Sequence, residues 1–196
     1  MKRIVLLLMA SAAATGCART EPAAAPVAPV AAVPAVDVNS PLYAPMFLQM
    51  AASSNTWEIE SSQLAHQMGR SPAVHSFASM IIADHTLLGT QLMAAAQAAG
   101  LTPPPPAMLP PEQAMLDQLR AAPPGTFDVA YRDAQVMAHQ KAVTLFQNYA
   151  SSGDNPTLRA AAAQALPKLQ QHLAMAQALQ VTAAAPPAQP RTGERG

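Results

Sequence analysis

Between Met46 and Gln180 apolar residues recur at intervals of three and four in four long segments, with almost no alternation at every second position. That spacing lines one face of an α-helix and leaves nothing from which to build a sheet. The first segment runs from about Met46 to Gly69, with Phe47, Met50, Ser54, Trp57, Ser61, Leu64 and Met68 along its stripe. Gly69 is expected to close it as a left-handed C-terminal residue. Ser71 then offers a cap and Pro72 a first turn to a second helix, which reaches Ala99 and stops at Gly100. A third begins near Phe127 and ends near "SSGD", and a fourth runs from Asn155-Pro156 to about Gln180. Pro167 inside that last helix removes a backbone donor and crowds the preceding turn, which predicts a kink.

The connections constrain the topology. Helices one and two are joined by about three residues, and three and four by about four, so each pair must turn back as an antiparallel hairpin. The segment from Gly100 to Thr126 is different, with "PPPP" at 103–106 and a short helical piece from Glu112 to Ala121. At about 3.1 Å per residue, a polyproline stretch crosses the length of a helix easily. The expected fold is all-α: a four-helix bundle running up, down, down, up, with a long crossover between helices two and three.

The flanks point to a location. Lys2 and Arg3 precede an apolar run from Ile4 to about Ala14, and "ATGC" ends at Cys17, the only cysteine in the chain. Residues 1–17 therefore look like an export signal with a lipobox-like end, although Ala14 stands where that pattern prefers Leu. An exposed cysteine with no possible partner is a liability in an oxidising compartment, which favours lipidation of Cys17. Residues 18–45 read as a Pro/Ala-rich linker, 46–181 as the bundle and 182–196 as a disordered tail. The expected address is the bacterial envelope: periplasmic, anchored in the outer membrane through the lipid. Formal charge sums to zero with only 11% charged residues, so nucleic acid is not an expected partner.

Polar residues interrupt the buried stripes. His85 lies four after Ile81 and three before Leu88, with Asp84 at the flank of the same stripe. His139 falls between Val136 and Val143, with Asp133 ahead of it, and His172 sits in the middle of the face Leu158, Ala162, Ala165, Leu169, Ala176 and Leu179. On the first helix Glu58 points inward and Glu60 outward. At 1.5 Å per residue Glu58, His85 and His139 stand about 20 Å from one end of the bundle and His172 about 25 Å. One ionisable group per helix therefore approaches a common level. Such a layer must be hydrogen-bonded internally, hydrated, or bound to something. Three readings follow: a structural layer fixing helix register, a transition-metal site (Fe, Zn or Cu) built from Glu58, His85, His139 and His172 with Asp84 and Asp133 orienting imidazoles, and a proton-transfer site.

The stretches "WEIESSQLA", "FASMIIADH", "FDVAYRDAQVMAHQKAVTLFQNYA" and "ALPKLQQHLAMAQAL" resemble the DUF4142 family of exported bacterial proteins. The resemblance implies a ferritin-like four-helix fold and an envelope location, and its matching positions are Glu58, Asp84, His85, Tyr131, His139 and His172. No histidine among them follows a glutamate by three residues, so a ferritin-type di-iron centre is not expected. Met46, Met50, Met68 and Met175 have ordinary core spacing, which argues against methionine-based copper storage. No nucleophile elbow, phosphate loop or metalloprotease motif occurs, and no catalytic residue is assigned. The sequence favours a noncatalytic binding or stress-related module, with a metal-binding protein as the alternative.

Overall fold

Prolines and small polar caps start most of the helices, as the sequence requires. The computed structural model describes residues 37–123 and 125–181. These form α1 (Ala44–Met68), α2 (Pro72–Ala98), α3 (Pro110–Arg120), α4 (Phe127–Ser152) and α5 (Pro156–Ala178), with no strand among the described residues. Ser71 caps α2 by accepting from the Ala73 amide, and Asn155 caps α5 by accepting from Leu158. Gly100, at φ +73°, ends α2 in the left-handed region where only glycine is at ease.

Two buried clusters show how the rods run. One gathers Phe47 and Leu48 from the start of α1, Leu92 and Ala96 from the end of α2, Phe146 and Tyr149 from the end of α4, and Leu158 from the start of α5. The other gathers the opposite ends, with Ala65, Val74, Phe77, Phe127, Tyr131 and Ala176. Thus α1 and α5 run one way and α2 and α4 the other. The chain between α2 and α4 travels the length of the bundle, with α3 lying on α1 and α4. Leu116 and Leu119 of α3 are buried there, Leu116 beside Trp57 and Ala138. Each such leucine contributes about 1.5–3 kcal/mol by leaving water. The buried Ser53 hydroxyl fastens the crossover, accepting from the Leu109 amide at 2.7 Å and donating to Glu112 at 2.9 Å.

Two local expectations are corrected. Gly69 is not left-handed: its φ is −66° and its ψ 149°. A side chain is excluded there by crowding, since a Cβ would stand 2.5 Å from the Ala65 carbonyl oxygen and 3.1 Å from Val74. Beside it, Asp128 of α4 accepts from the amides of Arg70 and Ser71, bracing the α1–α2 turn against the second hairpin. Met175, expected in the core, is 39% exposed. Helix α5 runs unbroken through Pro167, whose ring is exposed. The carbonyl deprived of its partner, at Ala163, also lies on the exposed face, where water can serve it.

Helix α1 starts at Ala44, two residues before the expected start of the bundle, and residues 18–36 of the expected linker lie outside the described residues. The expected export signal with Cys17 and the expected tail 182–196 also lie outside the described residues. Among the described residues no helix is long and apolar enough to cross a membrane.

Candidate metal centre

Halfway along the bundle, α2, α4 and α5 each turn one imidazole inward. His85, His139 and His172 are at most 2% exposed. Their ring centroids are 5.6 Å apart for His85 and His139, and 5.3 Å for each other pair. One donor atom from each lies within 4.8 Å of the other two. Metal–nitrogen bonds of about 2.0–2.1 Å place three ligating nitrogens about 3.4–3.6 Å apart, so the donors need to close by roughly 1 Å to grip an ion.

Each ring is held from behind by a different group. His85 Nδ1 meets the Asn55 side-chain oxygen at 3.1 Å. His139 Nδ1 meets the Gln135 backbone carbonyl at 3.0 Å, and His172 Nε2 meets the Asp84 carboxylate at 2.8 Å. All three partners are acceptors, so these nitrogens carry the protons and the remaining nitrogens keep their lone pairs. Those remaining atoms, His85 Nε2, His139 Nε2 and His172 Nδ1, are buried with no hydrogen-bond partner. Burial pushes all three imidazoles below their usual range, His139 to about 4. They are therefore neutral at neutral pH, the form in which imidazole ligates.

The carboxylates divide. Burial works to raise Asp84, but hydrogen bonds from His172 and Lys168, together with the Lys168 charge, hold it below the usual range. It is ionised, with Lys168 Nζ 3.2 Å away and half exposed. Glu58 is fully buried, and desolvation raises it well above the usual carboxylate range. Its Oε1 stands 3.4 Å from His139 Nδ1, the nitrogen already committed to Gln135. Burial favours the uncharged form of both groups, and with His139 neutral the contact is not an ion pair. Glu58 accordingly sits behind His139 and does not join the three converging donors. The expected set of one glutamate and three histidines becomes three histidines with a neutral acid at their back.

Asp133 is also displaced from its expected place. It is exposed and paired with Arg132 at 2.7 Å. Six residues separate it from His139, about five-thirds of a helical turn, so the two side chains leave α4 in different directions.

Residues 26–179 match the family described as a domain of unknown function, DUF4142. This chain belongs to the DUF4142 family. No curated protein matches it. A solved structure described as CopM in the Cu(II)-bound form is similar in fold, with a TM-score of 0.58 and 19% identity, covering 69% of this chain and 94% of that one.

Three residues that position this DUF4142 centre escaped the reading of the sequence. Asn55 and the Gln135 backbone reach the histidines, and Lys168 reaches Asp84, only through packing between helices or a local backbone turn. Gln135 alone left a trace, four residues before His139, where a helical carbonyl can receive a side-chain N–H. Chemically, three neutral imidazoles of fixed tautomer suit Zn, Cu or Fe.

Proposed function

We propose that this chain is a transition-metal-binding protein whose ligands are His85 Nε2, His139 Nε2 and His172 Nδ1. One observation carries the reading: three buried histidines whose donor atoms come within 4.8 Å of one another each keep one nitrogen without a partner, while the opposite nitrogen of each ring is fixed by an acceptor. A self-sufficient hydrogen-bonded layer has no reason to leave these atoms unmet, because each unsatisfied buried group costs about 1–3 kcal/mol. A bound ion satisfies all three together, and the acceptors behind the rings raise ligand basicity and fix orientation. Ionised Asp84 supplies compensating negative charge.

Copper is the first ion to test. The Cu(II) form of CopM, similar in fold, supports that choice, and imidazole is a good ligand for it. The helix directions and long crossover support a ferritin-like description of the bundle. The reading extends to an exported, lipid-anchored envelope protein that binds its ion without catalysis; the basic and apolar residues before Cys17 support that address. Cys17→Ser is expected to abolish membrane association, and unchanged association would reject the anchor.

The decisive experiment loads untagged protein with Cu(II) or Zn(II), removes excess ion and measures metal per chain. One ion per chain, lost in His139→Ala, is expected. Substoichiometric metal that is indifferent to His139→Ala rejects the site.

A further inference from the structure

Gly89 stands in the interior of α2, where glycine weakens a helix and where its own backbone is ordinary: the positive-φ glycines among the described residues are Gly100 and Gly125. Its missing side chain is explained by a neighbour on α1. A Cβ built at Gly89 would stand 2.8 Å from Asn55 Nδ2, nearer than any real Cβ contact, and its next neighbours are the remaining atoms of the same amide, at 3.6 and 4.0 Å. Gly89 therefore leaves room for one group, the Asn55 amide. That amide turns its oxygen toward His85 Nδ1, 3.1 Å away, and His85 lies one turn before Gly89 on α2.

We infer that Gly89 and Asn55 are a positioning pair that sets the tautomer of His85, keeping its proton on Nδ1 so that Nε2 faces the other two histidines with its lone pair free. The inference deepens the metal reading and rests on it for its consequence, but the pairing itself is a property of the metal-free protein. Neutral imidazole has one protonated nitrogen, and which one is decided by the partner of the other. With Asn55 displaced, His85 loses the one side-chain hydrogen bond it makes among the described residues, and the ionisable neighbours acting on it are His139 and His172, whose own free nitrogens are also acceptors. His85 then gains from carrying its proton on Nε2, which removes it as a ligand. Crowding at Gly89 is relieved most cheaply by moving the end of the Asn55 side chain, so Gly89→Ala acts on the amide while leaving the helices in place.

The test combines histidine ring-nitrogen NMR on the metal-free protein with competition titrations of Cu(II) and Zn(II). Wild type is expected to show His85 protonated on Nδ1. Gly89→Ala and Asn55→Ala are expected to shift His85 toward Nε2 protonation and weaken ion affinity about 10- to 100-fold. Gly89→Ala is expected at the same time to keep the thermal midpoint close to that of wild type, because the better helix propensity of alanine, about 1 kcal/mol, offsets much of the cost of the lost hydrogen bond. A loss of affinity without loss of stability is not what a packing defect produces. Asn55→Asp, which keeps the acceptor, is expected to restore the Nδ1 proton. The Gly89→Ala/Asn55→Ala double variant is expected to be no worse than Asn55→Ala, since both act through one hydrogen bond. A wild-type His85 protonated on Nε2, or a Gly89→Ala protein with unchanged ring signals, overturns the pairing. A wild-type chain that takes up neither ion overturns the metal reading instead, and the ring signals still decide the pairing.

Discussion

Ser62 and Tyr131 are as deeply buried as His139 and His172, but the two pairs differ in what their polar atoms meet. The Ser62 and Tyr131 hydroxyls share a hydrogen bond of 2.7 Å. The histidines each spend one nitrogen on a partner and leave the other buried and unmet. Both regions are polar islands in an apolar bundle, on helices built from the same pattern. The first has its polar atoms paired and holds α1 to α4; the second leaves one nitrogen of each ring without a partner. Burial of a polar group by itself therefore says little about function, and the unmet atom says more.

The sharpest way to break this contrast is to remove one imidazole. His139→Ala is expected to weaken Cu(II) or Zn(II) affinity by more than 100-fold in a competition titration, whereas Tyr131→Phe is expected to leave it within a few-fold. Acid gives the next largest effect, on the metal-free fold. His139 titrates near 4 when folded and near 6.5 when unfolded, so between these values the unfolded chain binds more protons. The stability His139 contributes is complete above pH 6.5 and falls by about 3 kcal/mol as the pH drops to about 4, at 1.36 kcal/mol per pH unit. His85 and His172 act in the same direction, while Glu58, raised in the fold, opposes them from pH 4.5 upward. Denaturant midpoints across pH 4–7 are expected to rise with pH in wild type, less steeply in His139→Leu and more steeply in Glu58→Gln.

Smaller effects sharpen the distinction. Asp84→Asn removes the charge behind His172 and is expected to weaken ion binding about 10- to 100-fold, with little change in the metal-free midpoint. Tyr131→Phe strands the Ser62 hydroxyl and is expected to cost about 1–2 kcal/mol in chemical denaturation. His139→Leu, by contrast, trades an unmet polar ring for an apolar side chain and is expected to be near neutral in the absence of metal. Destabilisation by His139→Leu as large as that by Tyr131→Phe would erase the difference between the two regions.

Helical periodicity made the bundle legible, because three- and four-residue spacing together with two short turns leaves few ways to arrange the rods. It also carried His85, His139 and His172 inward to a common level, where their rings meet. It failed where the answer depended on how one helix is rotated against another. Glu58 is inward as expected, yet a modest rotation of α1 decides whether it joins the donors or stands behind His139. Asp133 was misplaced by adjacency in sequence, which on a helix is not adjacency in space. Asn55 could not be read at all, since its role depends on a glycine thirty-four positions away on another helix.

The three imidazoles do not belong to one hairpin: His85 comes from the α1–α2 unit, and His139 and His172 from α4–α5. An ion gripped by all three is thus a rivet between halves that the chain itself joins only through the crossover. If the proposed site is filled, its emptying is expected to loosen that joint without unfolding either half, and faster amide exchange along the α2–α5 seam of the metal-free protein is the measurement that checks it.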